Sequence, residues 1–146
     1  MTDPTSEPEP QRYTGYLIRR AQQAHVAAWN RIVSTEISSV QYSILTTLDR
    51  LGEASQRELC DEVDLDRSTI ADLVSRMERH GLITRHRSPE DARRNTVTLT
   101  DHGRAERMRL QPLVAEVEDA LTGDLTDDER TALRAGLRAV LLAHPE

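Results

Sequence analysis

Six arginines lie between positions 76 and 94 (Arg76, Arg79, Arg85, Arg87, Arg93 and Arg94), against three acids, Glu78, Glu90 and Asp91. That stretch carries +3 inside a chain of net charge −6, which leaves −9 on the remainder. Guanidinium groups grouped in this way bind phosphate through charge and forked hydrogen bonds, while an acidic body discourages indiscriminate binding to polyanions. Overlapping the basic stretch, Arg67, Ser68, Thr69, Ser75, Arg76 and Arg79 supply short hydroxyls and long cations, the side chains that reach base edges and phosphates in a DNA groove. Ser68, Thr69, Ser75 and Arg76 are expected at base edges and phosphates, and Arg67 and Arg79 at phosphate. Asp72 is discordant, because an acid facing a groove repels phosphate. It fits there by accepting from a cytosine amino group or by pairing with Arg76 one turn on, and the intrahelical pair is favoured.

Catalytic chemistry has no comparable support. The sequence holds no G-x-S-x-G, no phosphate loop and no H-E-x-x-H, and the five histidines (25, 80, 86, 102 and 144) have no ligand spacing. No catalytic residue, metal site or cofactor is expected. Cys60 stands alone, so it forms no internal disulfide. It lies in an apolar-periodic segment where a packed thiol is the ordinary outcome and a redox sensor the alternative.

The elements that must position these residues can be read from periodicity and caps. Asp66 is a candidate N-cap and Gly81 a candidate C′ residue for a helix in which Ile70, Leu73, Val74 and Met77 form the packed arc. Ser68, Asp72, Ser75, Arg76 and Arg79 fall on the opposite, free arc. Upstream, Ser55-Gln56-Arg57-Glu58 reads as a capping box opening a short helix that buries Leu59, so two short helices meet in a tight turn. Ile83 to Arg87 and Asn95 to Thr100 read as two strands joined by Ser88-Pro89-Glu90-Asp91, with Arg93 and Arg94 near the tip. A helix pair followed by a basic hairpin is the pattern of a winged helix-turn-helix.

Flanking helices complete the chain. Leu17, Ala21, Ala24, Ala28 and Ile32 make one stripe between Tyr13 and Val33, with Ile18, His25 and Trp29 beside it. Ser38 or Ser39 caps a helix with Val40, Ile44, Leu48 and Leu51 on one face, ended by Gly52. A long helix runs from about Thr100 to Thr122 through Pro112, and a second capping box at Thr126-Asp127-Asp128-Glu129 opens the last one, which stacks Leu133, Leu137, Val140 and Leu141. Those terminal stripes exceed what one chain can cover, so two chains are expected to pair, placing recognition helices about 34 Å apart on a pseudo-palindrome.

The expected fold is mainly α with a small β-wing. Residues 1–11 form a disordered tail, 12–34 and 101–146 dimerisation helices, and 38–100 the DNA-binding unit. No apolar run reaches the roughly 20 residues of a membrane span, and the acidic, proline-containing N-terminus does not read as a signal peptide. A cytoplasmic protein is expected.

These residues resemble the MarR (multiple antibiotic resistance regulator) transcription factors over about Tyr13 to Ala143. The most specific part, Asp91-Ala92-Arg93-Arg94-Asn95-Thr96-Val97-Thr98-Leu99-Thr100 followed by His102-Gly103, is similar to the family's wing signature D-x-R-x-x-x-V-x-L-T and its glycine. Leu65-Asp66-Arg67-Ser68-Thr69 and Glu78-Arg79-His80-Gly81-Leu82-Ile83 extend the match. The resemblance implies dimeric repressors whose wing arginine, here Arg93, enters the minor groove, where the negative potential is enhanced. It gives Asp91 a structural role in orienting an arginine and leaves Arg94 as a phosphate contact. Arg85 and Arg87 fit a solvated strand edge as well as a DNA contact.

The segment from Tyr16 to Asn30 is further similar to the first helix of the branch that controls aromatic-compound catabolism. This implies an effector that is a small phenolic or benzoic acid or a related CoA thioester. Arg19 would hold the carboxylate, His25 a phenolic hydroxyl, and Trp29, Tyr16 or Tyr42 would offer a ring face. Arg19 and His25 are six positions apart and point about 120° from each other on an ideal helix, so both serve one ligand only in a cleft along the helix edge. The alternative function is a redox-responsive or protein-binding winged-helix regulator with no aromatic effector.

Overall fold

In the computed structural model residues 6, 8–91 and 94–145 are described, so Arg93 and most of the expected N-terminal tail lie outside the described residues. The first helix, α1 (Thr14–Ile32), starts at Tyr13 without a side-chain cap. Every later helix starts on an oxygen that accepts an otherwise unpaired N–H of the first turn. Ser38 opens α2 (Ser39–Leu51) in a capping box with Gln41, and Gly52 ends it at φ +81°. A three-residue strand, β1 (Glu53–Ser55), follows. Its last residue, Ser55, is also the N-cap of α3 (Gln56–Val63), with Glu58 as its capping-box partner.

Between α3 and the next helix Asp64 takes a left-handed φ of +60°, which aspartate tolerates better than most residues. Asp66 then caps α4 (Arg67–Arg79) by accepting the Thr69 N–H at 2.7 Å. At its far end Gly81 (φ +73°) lets the chain turn out. Gly81 N–H donates to the Glu78 carbonyl and Leu82 N–H to that of Met77, so two last-turn carbonyls are satisfied.

The hairpin of β2 (Ile83–Arg87) and β3 (Asn95–Leu99) has the expected bounds, except that Thr100 leaves the strand to cap α5 (Asp101–Thr122). Thr126 and Glu129 form the capping box of α6 (Asp127–Ala143). The sheet has the order β1-β3-β2, antiparallel throughout, with Ala54 opposite Val97 and Arg85 opposite Val97 on the other side. Strand β1 was not expected from the sequence.

The core is centred on the winged half and extends to α1 and α5. Ile44, Leu45 and Leu48 of α2, Leu59 of α3, and Ile70, Val74 and Met77 of α4 are buried together with Ile83, Val97 and Leu110. At roughly 1.5–3 kcal/mol for each large apolar side chain removed from water, this cluster dominates the favourable side of folding. Val40 and Leu51, expected on the packed face of α2, stay more than a third exposed, and Leu45 and Gln41 are buried in that helix instead. Trp29, expected on the flank of the α1 stripe, is 5% exposed and belongs to the core. Gly103 is required by contact: a Cβ there would stand 2.0 Å from the Leu82 carbonyl oxygen, so the start of α5 rests directly on the backbone leaving α4.

Candidate nucleic-acid interface and aromatic cluster

With Ile70, Val74 and Met77 fully buried, α4 presents Arg67, Ser68, Thr69, Arg76 and Arg79 on its exposed side, and Ser75 half-buried at the margin. Asp72 pairs with Arg76 at 3.3 Å across one turn, the neutralisation favoured from the sequence. Ser68 donates its hydroxyl to Asp66 Oδ1 at 2.8 Å, the atom that also caps the helix. These donors hold the Asp66 carboxyl below its ordinary range, the Thr69 backbone N–H first and the Ser68 hydroxyl next.

Two ion pairs tie the wing to the helices. Arg85 on β2 donates through Nε (3.4 Å) and Nη2 (3.0 Å) to the two carboxylate oxygens of Glu78 near the end of α4, and this pairing keeps the Glu78 carboxyl low. Of the two readings left open for Arg85, the structure therefore gives a third, a link between recognition helix and strand. Arg94 at the base of the wing loop reaches Glu58 on α3, Nη2 to Oε1 at 2.7 Å. Glu58 is also held low, chiefly by the Ser55 backbone N–H and hydroxyl and further by Arg94. The loop itself is closed by Ser88 N–H to the Arg94 carbonyl and by Arg94 N–H to the carbonyl of Asp91. Arg87 is exposed at the end of β2. Glu58 and Glu78 were recognised in the sequence only as a capping residue and an acid among arginines. Their partners are set by tertiary packing, Arg94 by the sheet register beside α3 and Arg85 by the placing of β2 against α4, which no local pattern carries.

The residues expected to hold a ligand are only partly brought together. The Trp29 ring lies 6.1 Å from His25, edge to face, and 5.9 Å from Tyr42. Its indole N–H donates to the Ile37 carbonyl at 2.7 Å and its ring is buried, so in this arrangement Trp29 has its donor committed and its ring packed in the core. Arg19 lies elsewhere, its guanidinium 5.3 Å over the ring of Tyr16. Of two clefts of about 480 and 560 Å³, one lies between the wing base and α3 and the other between the α1–α2 loop and α5, and neither is lined by Arg19, His25, Trp29 or Tyr42. Cys60 is half-buried against the core. Among the described residues no group of histidines, cysteines and acids could hold a metal ion.

The model of the MarR family matches residues 37–94, the span from Ile37 to the wing base. Over 128 residues the chain is 30% identical to the transcriptional repressor NicR of Pseudomonas putida, covering 87% of this chain and 81% of that one. The chain belongs to the MarR family of transcriptional regulators. Among solved structures, the regulator PcaV of Streptomyces coelicolor in complex with its natural ligand superposes with a TM-score of 0.86 at 37% identity, over 100% of this chain and 99% of that one. BpsR of Bordetella bronchiseptica, whose DNA binding is regulated by 6-hydroxynicotinic acid, superposes with a TM-score of 0.79 at 28% identity, over 86% and 96%. The MarR fold thus accounts for the three-stranded sheet, the helix pair α3–α4 and the long terminal helices together. Among the described residues no helix is long and apolar enough to cross a membrane.

Proposed function

We propose that the chain is a ligand-responsive, dimeric transcriptional repressor that binds a pseudo-palindromic operator and is released by a small aromatic carboxylate or its CoA thioester. The observation that carries the effector class is the contiguous cluster of His25, Trp29 and Tyr42 at the meeting of α1 and α2, in a family where a 28%-identical relative answers to 6-hydroxynicotinic acid. Arg19 supplies the carboxylate anchor once two chains, or the ligand itself, draw it off Tyr16. The protein acts by binding and carries out no turnover, in the cytoplasm.

The division of labour follows. Residues 12–34 and 101–146 pair two chains, residues 38–100 read DNA, and residues 1–11 are a tail. Ser68, Thr69, Ser75 and Arg76 address base edges and phosphates, Arg67, Arg79 and Arg94 phosphates, and Arg93 the minor groove, with Asp91 shaping the wing. A bound acid acts by favouring a spacing of the two recognition helices that successive grooves do not accept, with leverage limited to its affinity difference between the two arrangements.

The test is a thermal-shift screen of aromatic acids and their CoA thioesters on the free protein, repeated on its complex with a duplex selected by the protein from a random pool. An effective acid raises the melting temperature of the free protein and dissociates the complex, and Arg19→Ala removes both effects. If no acid does either, or if Arg19→Ala leaves release unchanged, the effector assignment is wrong.

A further inference from the structure

The Glu58–Arg94 pair joins residues 36 positions apart and sits where the wing loop meets the first helix of the helix-turn-helix. Two features fix the carboxylate. Ser55 N–H donates to Glu58 Oε1 at 3.3 Å, and Glu58 N–H donates back to the Ser55 hydroxyl at 3.1 Å, so the acid is held at both ends of the capping box. Ser55 in turn pairs with Thr96 in the sheet, and this register places Arg94, two residues before Thr96, beside the first turn of α3. The guanidinium thus meets a carboxylate that is already in place. Only one flexible side chain has to be ordered to make the contact.

The contact with Glu58 is made by Nη2, and the Arg94 side chain remains 57% exposed in the cleft it shares with Arg57, Asp91 and Asn95. A guanidinium carries five N–H donors in a rigid fork, so holding it by one arm aims the others. We propose that Glu58 is a positioning residue for DNA binding: its fixed carboxylate orients Arg94 so that the remaining donors meet a backbone phosphate. The proposal rests on the DNA-binding reading above and deepens it.

Plain electrostatics argues for the opposite sign, which makes the proposal easy to test. If Glu58 contributed only a negative charge near the duplex, removing that charge would strengthen binding. Under the positioning role the same change weakens it. Glu58→Gln is suited to the purpose because glutamine at this position also completes a capping box, so the helix start is retained.

The experiment is a fluorescence-anisotropy titration of the full-length protein with the selected duplex at several salt concentrations. Exposed ion pairs are weak, so Glu58→Gln is expected to reduce affinity about two- to fivefold. Arg94→Lys keeps the charge but not the fork and should lose at least as much. The double variant should be no weaker than Arg94→Lys alone, because both changes disable one contact. The slope of log affinity against log salt should become shallower by about one in Arg94→Ala, as for a lost phosphate contact. Melting temperatures of the variants check that the fold is retained, and the exposed Arg94 variants do not depend on the capping box. Glu58→Gln binding as tightly as the wild type or more so, or losses that simply add, would overturn the proposal. A wild-type protein that selects no duplex at all would instead overturn the DNA-binding reading beneath it.

Discussion

Helices α4 and α6 are built to the same pattern and end in opposite circumstances. Both begin on an oxygen cap, and both repeat apolar residues at helical spacing, Ile70, Val74 and Met77 in one, Leu133, Leu137, Val140 and Leu141 in the other. The α4 stripe is fully buried against α3 and the sheet, whereas the α6 stripe is 41–64% exposed and the helix buries no residue. An amphipathic pattern thus states that a helix has a side to hide without stating what hides it. For α4 the partner lies in the same chain. Leu17, Ile18 and Val26 of α1 are exposed as well, so both ends of the chain carry apolar surface of the kind a second copy would cover.

The sharpest way to break this comparison is to charge the α6 face. Leu137→Arg should convert a dimer to a monomer by light scattering and lower operator affinity by about 10²-fold or more, through loss of the linked half-site, while the winged half still folds. A variant that stays dimeric would show that α6 is not the missing contact. On the α4 side, Met77→Ala should cost about 2–5 kcal/mol in urea unfolding and leave self-association of the folded fraction intact. Arg93→Ala should cost about 1–3 kcal/mol in operator binding and flatten its salt dependence, with no change in dimerisation. The smallest effect concerns two capping carboxylates and the one paired with Arg85. Asp66, Glu58 and Glu78 are all held below their ordinary pKa in the folded chain. The stability they confer is therefore complete above the unfolded carboxylate range, near pH 4, and is lost as pH falls through the lower folded values. Asp66→Asn, which keeps an acceptor at the cap, should make the acid limb of the stability curve shallower.

Much of the winged half was legible because its determinants are local. The caps at Ser55 and Asp66, the turn at Gly81 and the Asp72–Arg76 pair all depend on residues within four positions of each other, as does the Thr126 cap further on. Strand β1 was not legible. Glu53-Ala54-Ser55 is too short for periodicity and becomes a strand only by pairing with β3, more than forty residues on. The Glu58–Arg94 pair depends on that same register, and the Glu78–Arg85 pair on how β2 packs against the end of α4. The aromatic cluster was legible as chemistry but not as geometry, since the Trp29 N–H is committed to Ile37 and Arg19 projects from an earlier turn of α1 onto Tyr16.

The contact at Gly103 bears on how a signal could cross between the two halves. Most helix contacts are cushioned by side chains, which absorb a small movement by changing rotamer. Here the helix backbone bears on the Leu82 carbonyl with no side chain between, and Thr100 N–H donates to that same oxygen at 3.1 Å. Such a joint has no slack. A rotation of α5 would therefore press directly on the segment just beyond α4, with no side chain to take up the movement.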